Sequence, residues 1–152
     1  MPHRLAAPHT GALFLSSLLG TVAPATAQQW RAVRPPARGD VAMAYDWTHG
    51  SVIFGGTDNF SLAPLTAYSD TWTITGTSCR RQTPAISPPA RTRHALAYDV
   101  TRIRTVLFGG VFPNRSFAGD TWEFDGTNWT TVTTAHVPGA RADHAMAGLR
   151  VY

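Results

Sequence analysis

The side chains of this chain that could do chemistry are few, and the pair that recurs is histidine. His94 and His144 each follow the same local pattern, Ala90-Arg91-Thr92-Arg93-His94-Ala95 and Ala140-Arg141-Ala142-Asp143-His144-Ala145. Two neighbouring imidazoles can begin a metal site, but such a site needs three or four ligands. Hydrogen bonding of each ring to nearby backbone accounts for the repetition equally well, so no metal and no cofactor is expected. Asp70 and Asp120 also recur, in Asp70-Thr71-Trp72 and Asp120-Thr121-Trp122. They read as turn residues that cap a strand by accepting backbone N–H groups. Glu123 is the only glutamate. No nucleophile elbow, phosphate loop or paired carboxylates occur, so catalysis is not expected. Cys79 is the only cysteine, which rules out an intrachain disulfide and a cysteine-based zinc site. It reads as a small, partly buried apolar residue.

Binding is the better prospect, and it falls in two loops. The first, Thr57 to Ser69, carries Phe60 and Tyr68; the second, Val111 to Gly119, carries Phe112, Asn114, Arg115 and Phe117. Loops on a rigid scaffold are where recognition residues concentrate. Aromatic rings beside Asn and Arg can stack on a sugar or grip a peptide. The competing reading folds the same rings back over the sheet edge. Asn59-Phe60-Ser61, Asn114-Arg115-Ser116 and Asn128-Trp129-Thr130 are glycosylation sequons, relevant if the source glycosylates exported proteins.

The elements that hold these loops come from an internal repeat. Pro89-Ala90-Arg91, His94 to Asp99, Val106-Leu107-Phe108-Gly109-Gly110 and Asp120-Thr121-Trp122 form one ordered series. Pro36-Ala37-Arg38, Val41 to Asp46, Val52-Ile53-Phe54-Gly55-Gly56 and Asp70-Thr71-Trp72 form it earlier, and Gly139-Ala140-Arg141 with His144 to Ala147 starts it again. In the second copy, Ala95 to Tyr98 and Val106 to Phe108 are apolar runs of the kind buried on both faces. The stretch from Asp120 to Asp125 alternates, with Trp122 and Phe124 on one face, as in a half-buried strand. Asn128 to Thr133 is Thr-rich, as suits an outer edge. Asp125-Gly126 signals a hairpin turn, and each diglycine allows a left-handed turn with close backbone approach. Four antiparallel strands in roughly 50 residues, in tandem, is the pattern of a propeller blade.

These residues resemble the kelch repeat family. The resemblance rests on Val106-Leu107-Phe108-Gly109-Gly110, then Trp122 and Trp129, with Arg91 and His94 opening the first strand; Gly55, Gly56 and Trp72 match in the earlier copy. That copy departs from the pattern with Cys79 in place of Trp129, Val41 in place of His94 and Asp40 in place of Arg93. The resemblance implies an all-β fold of kelch-type propeller blades, about two and a half of them, in an incomplete propeller. The architecture is galactose-oxidase-like without that enzyme's copper site. The Asp-x-Trp pairs are similar to the sialidase Asp box, but lack its glycine between Asp and Trp.

The repeat leaves the start of the chain aside. A basic start at His3 and Arg4, an apolar run from Gly11 to Ala23 and Ala25-Thr26-Ala27 have the order of a secretion signal. This gives a signal peptide at 1–27, an orphan outer strand at 28–33, blades at 34–85 and 86–135, and the start of a truncated third blade at 136–152. A secreted, periplasmic or extracellular protein is expected, with no membrane span once the signal is cleaved near Ala27. All 13 basic residues are Arg and they are scattered, so nucleic acid is not an expected partner despite a net charge of +4. The expected function is a non-catalytic binding scaffold for a protein or carbohydrate ligand, as part of a longer propeller. Homo-oligomerisation is the expectation if the chain is complete. The alternative is the propeller portion of an extracellular carbohydrate-acting enzyme, of oxidase or glycosidase type, whose catalytic residues lie elsewhere.

Overall fold

A computed structural model describes residues 34–59 and 65–148, all of them within the compact unit Arg31–Tyr152. The expected signal peptide, the orphan strand as far as Val33, Phe60 and the end of the third repeat lie outside the described residues. Among the described residues every element is a strand. The first sheet contains β1 (Ala42–Asp46), β2 (Gly50–Phe54), β3 (Thr71–Thr75) and β4 (Ser78–Gln82). The second contains β5 (Ala95–Asp99), β6 (Arg104–Phe108), β7 (Thr121–Phe124) and β8 (Trp129–Val132). Each is an antiparallel meander in chain order. The two sheets stand face to face, with β1 against β5, in an open, propeller-like all-β arrangement.

Strand periodicity decides which side chains meet. In the first sheet Ala44, Val52 and Phe54 share a face. They pack against Leu96, Leu107, Trp122, Phe124 and Trp129 of the second sheet, and together these form the core. Phe54 meets the Trp129 ring edge-on at 5.3 Å, a favoured aromatic geometry. Trp129 is fully buried although its strand lies at the sheet edge. Its indole Nε1 donates across the interface to the Thr71 hydroxyl at 2.9 Å. The expected half-buried pattern of β7 is present, with Trp122 and Phe124 inward, and β5 is buried on both faces from Ala95 to Tyr98. Its equivalent β1 is not: Met43 and Tyr45 are 62% and 71% exposed, because among the described residues no further sheet covers that side. Asp125-Gly126 does turn the chain, but within a four-residue connection whose Asp125 carboxylate accepts the Thr127 and Asn128 N–H groups.

The diglycines explain how the sheets approach. Gly55 and Gly56 have φ of 61° and 91°, and Gly109 and Gly110 have 68° and 107°, a region that costs an L-residue about 1–2 kcal/mol. The space is closed as well: a Cβ on Gly110 would stand 2.8 Å from the Thr92 carbonyl oxygen. That crowding exists because the pair's backbone bonds to neighbouring segments, Gly56 N–H to the Arg91 carbonyl at 3.0 Å and Gly110 N–H to the Arg141 carbonyl at 2.8 Å. Gly110→Ala is therefore expected to cost about 2 kcal/mol or more. Gly76→Ala should cost only about 1 kcal/mol, since Gly76 has φ +58° and open space where a Cβ would go. Urea unfolding of the two variants checks the difference.

Candidate functional site

The repeat's polar residues converge on one device, built twice. Arg38 reaches from the segment before β1 to the residue before β3. It donates from Nη1 and Nη2 to the two Asp70 carboxylate oxygens at 2.5 and 3.0 Å, and from Nη1 to the Gly55 carbonyl at 2.9 Å. Its Nε donates to Pro36 O at 3.3 Å. Arg91 repeats this with Asp120 at 2.6 and 2.8 Å, Gly109 O at 3.1 Å and Pro89 O at 3.1 Å. Each carboxylate also accepts the indole N–H two residues on, Trp72 to Asp70 and Trp122 to Asp120, both at 2.7 Å. A planar fork against a carboxylate is the geometry that makes Arg irreplaceable by Lys. Asp70 and Asp120 thus do not act mainly as backbone caps of β3 and β7, as the turn chemistry suggested. Their principal donors are an indole two residues on and a guanidinium about 30 residues away, too distant in sequence for local pattern to link. Burial alone would raise both carboxyls, but the arginine and tryptophan donors hold them below the usual carboxylate range.

Two of the candidate binding residues belong to this device. The Arg38 guanidinium lies over the Tyr68 ring, 4.1 Å from its centroid, and Arg91 lies over Phe112 at 4.9 Å. Both are cation–π contacts, in which the ring face attracts the positive charge. Tyr68 is fixed further by donating its hydroxyl to Asp58 at 2.7 Å. Asn114 is also occupied, accepting the Ser116 N–H and hydroxyl at 3.0 and 2.7 Å. Arg115 and Phe117 are the candidates left facing solvent: Arg115 is exposed and Phe117 is 60% exposed. Phe60 lies outside the described residues.

The histidines hold the interface between repeats. His94 meets Phe54 of the preceding sheet edge-on at 5.5 Å, and His144 meets Phe108 at 5.4 Å. The diglycine makes the fit: a Cβ on Gly55 would lie 3.2 Å from His94 Cε1, and one on Gly109 would lie 2.9 Å from His144 Cε1. Neither His94 nitrogen has a partner in good hydrogen-bond geometry, and the ring's edge-on packing on Phe54 is its main contact. Among the described residues no cluster of three or more metal-ligating side chains forms around them. Burial pushes the His94 pKa down to about 3, helped by the Arg91 charge and partly offset by the Phe54 backbone. Cys79 sits part-buried on β4, where burial raises its pKa and so disfavours the reactive thiolate.

A scan against protein-family models and a search of curated proteins both return no match to this chain.

Arg91 is fully buried, so Asp120→Ala leaves a buried charge without its carboxylate and is expected to cost about 3 kcal/mol or more. Arg102→Ala removes two pairs made by a more exposed arginine, with Asp99 and Glu123, and should cost only about 1 kcal/mol. Chemical denaturation at constant pH compares them. His94 adds a pH dependence whose sign follows from its lowered pKa. Its stabilising contribution is complete above the ordinary value of 6.5 and is lost as pH falls toward about 3, by up to about 1.4 kcal/mol per pH unit. His94→Gln should flatten the unfolding free energy between pH 6.5 and 4.

Proposed function

We propose that the chain is part of a secreted kelch-type propeller that binds a protein or carbohydrate ligand through the loop from Val111 to Gly119, without catalysis. The observation that carries this reading is the division of labour in that loop. Phe112 is committed to Arg91 and Asn114 to its own turn, while Arg115 and Phe117 stand free. Arg115 itself is held at φ 68°, a backbone conformation that non-glycine residues adopt only where the surroundings demand it. A cation and an aromatic ring so presented suit a polar ligand with an apolar face, such as a sugar or an aromatic-containing peptide. The kelch assignment draws its support from the doubled Arg–Asp–Trp device and the paired left-handed glycines.

The test is a screen of the chain against glycan and peptide arrays, followed by titration of any hit. Phe117→Ala and Arg115→Ala should each weaken binding about tenfold or more while leaving the thermal midpoint unchanged. Binding that survives the double variant would move the site elsewhere.

A further inference from the structure

The loop from Val111 to Gly119 presents main chain as well as side chains. Phe112 N–H donates to the Ser116 carbonyl at 3.0 Å and Ala118 N–H to the Gly110 carbonyl at 2.9 Å, which sets Val111 antiparallel to Phe117. A residue pair flanked by hydrogen bonds in this way makes none of its own, and both members turn their N–H and C=O outward. For Val111 the outward groups meet Thr92, exchanging two bonds at 3.0 and 2.8 Å. For Phe117 they point to the opposite side, where neither has a partner among the described residues. Thr92, Val111 and Phe117 thus form a patch of sheet three strands across, with an open place beside Phe117.

This place is not a joint between repeats. The joint is made by the next residue, Ala118, whose carbonyl accepts the Arg141 N–H at 3.1 Å. In the first repeat Tyr68 N–H donates to the Gly56 carbonyl as Ala118 does to Gly110, so Ala67 stands where Phe117 does. A second repeat follows it, and none of the described residues there takes the Ala67 N–H or C=O. The place beside Phe117 is also pre-formed. Arg115 N–H closes a turn on the Phe112 carbonyl at 2.8 Å, with Pro113 supplying a fixed φ at the first central position. A three-residue connection of this kind then calls for a left-handed residue, usually glycine, and Arg115 takes that position at φ 68°. Its guanidinium, met by no carboxylate among the described residues, stands exposed beside a Phe117 ring that is 60% exposed.

We infer that the Phe117 edge takes an extended peptide segment of a partner protein as an added strand, with an acidic residue for Arg115 and an apolar one against the Phe117 ring. The inference rests on the reading of this loop as a binding surface, and it narrows the ligand from protein or carbohydrate to peptide. A sugar can stack on the ring, but an N–H and a C=O turned outward from one residue match another backbone, as Thr92 matches Val111 on the other side of the patch. Main-chain pairing supplies affinity in strand addition, and the neighbouring side chains supply selectivity. The fixed turn reduces the ordering cost of binding. One partner residue makes both bonds to Phe117, and its two chain neighbours turn their N–H groups away.

The probes are short capped peptides of alternating Thr and Val that carry a Glu and a Tyr at varied spacing. They are titrated into the full chain and followed by calorimetry and amide NMR. Saturable binding is expected, with the Phe117 amide proton shifted and protected from exchange. The tightest peptide is then N-methylated one residue at a time. Methylation of the residue opposite Phe117 should weaken binding about tenfold or more, and methylation of its two neighbours should change it little. Lys in place of the Glu should cost about tenfold with the parent chain and little with Arg115→Ala. Absence of saturable peptide binding, or N-methylation that costs the same at every position, overturns the inference. If glycans bind instead and Phe117→Ala removes them, strand addition fails while the loop keeps its binding role. Peptides that bind the Arg115→Ala and Phe117→Ala chains as tightly as the parent overturn both.

Discussion

The closeness of one backbone crossing governs the rest of this molecule. Where Arg91 passes the Gly55–Gly56 pair, main chain lies against main chain with no room for a Cβ. Because the crossing is that tight, β1 can lie on β5, and the aromatic residues of the two sheets come within ring contact. Open the crossing by one methyl group and Phe54 loses both His94 and Trp129. Among the described residues the core is small, eight buried side chains in one cluster.

The buried arginine depends on the same crossing. A guanidinium is tolerable inside only when its donors are met in good geometry, and here carbonyls from two segments and one carboxylate meet them. The Gly55 carbonyl serves Arg38 and the Gly109 carbonyl serves Arg91, and both glycines are left-handed. An aromatic ring covers one face of each guanidinium. Tyr68 and Phe112 reach that position from different places in their loops, which is why the two loops can differ in length and still cover the same arginine.

The sequence displayed the strands and their order because burial follows a simple period, and the repeat supplied the pairing scheme. Alternation in Trp122 and Phe124, the apolar run of β5 and the positive φ of the diglycines were all legible. The partnership of Arg91 with Asp120 was not. It spans separate strands, and nothing local in Asp120-Thr121-Trp122 distinguishes a strand cap from an ion-pair acceptor, although recurrence of both residues in both copies was a usable signal. The loop residues were legible only as a group. Their chemistry suggested recognition for all of them, but whether a ring faces solvent or a buried guanidinium depends on the packing beneath it. Likewise, the polar character of Asn128 to Thr133 indicated an edge strand, and the motif residue Trp129 was legible as a repeat feature but not as the anchor of the interface.

The division between side-chain and main-chain bonding has a consequence for how such a chain can change over generations. The Arg–Asp–Trp device closes within a single repeat, while the crossing between repeats relies on backbone hydrogen bonds at the diglycines and on the Phe–His contact, all of which recur in the repeat itself. Gene duplication of one unit therefore copies its internal lock intact and creates a junction that already fits. Loss of one unit removes a lock together with all its members and strands none of them. Selection can then alter the loops of individual copies while leaving the joints between copies alone.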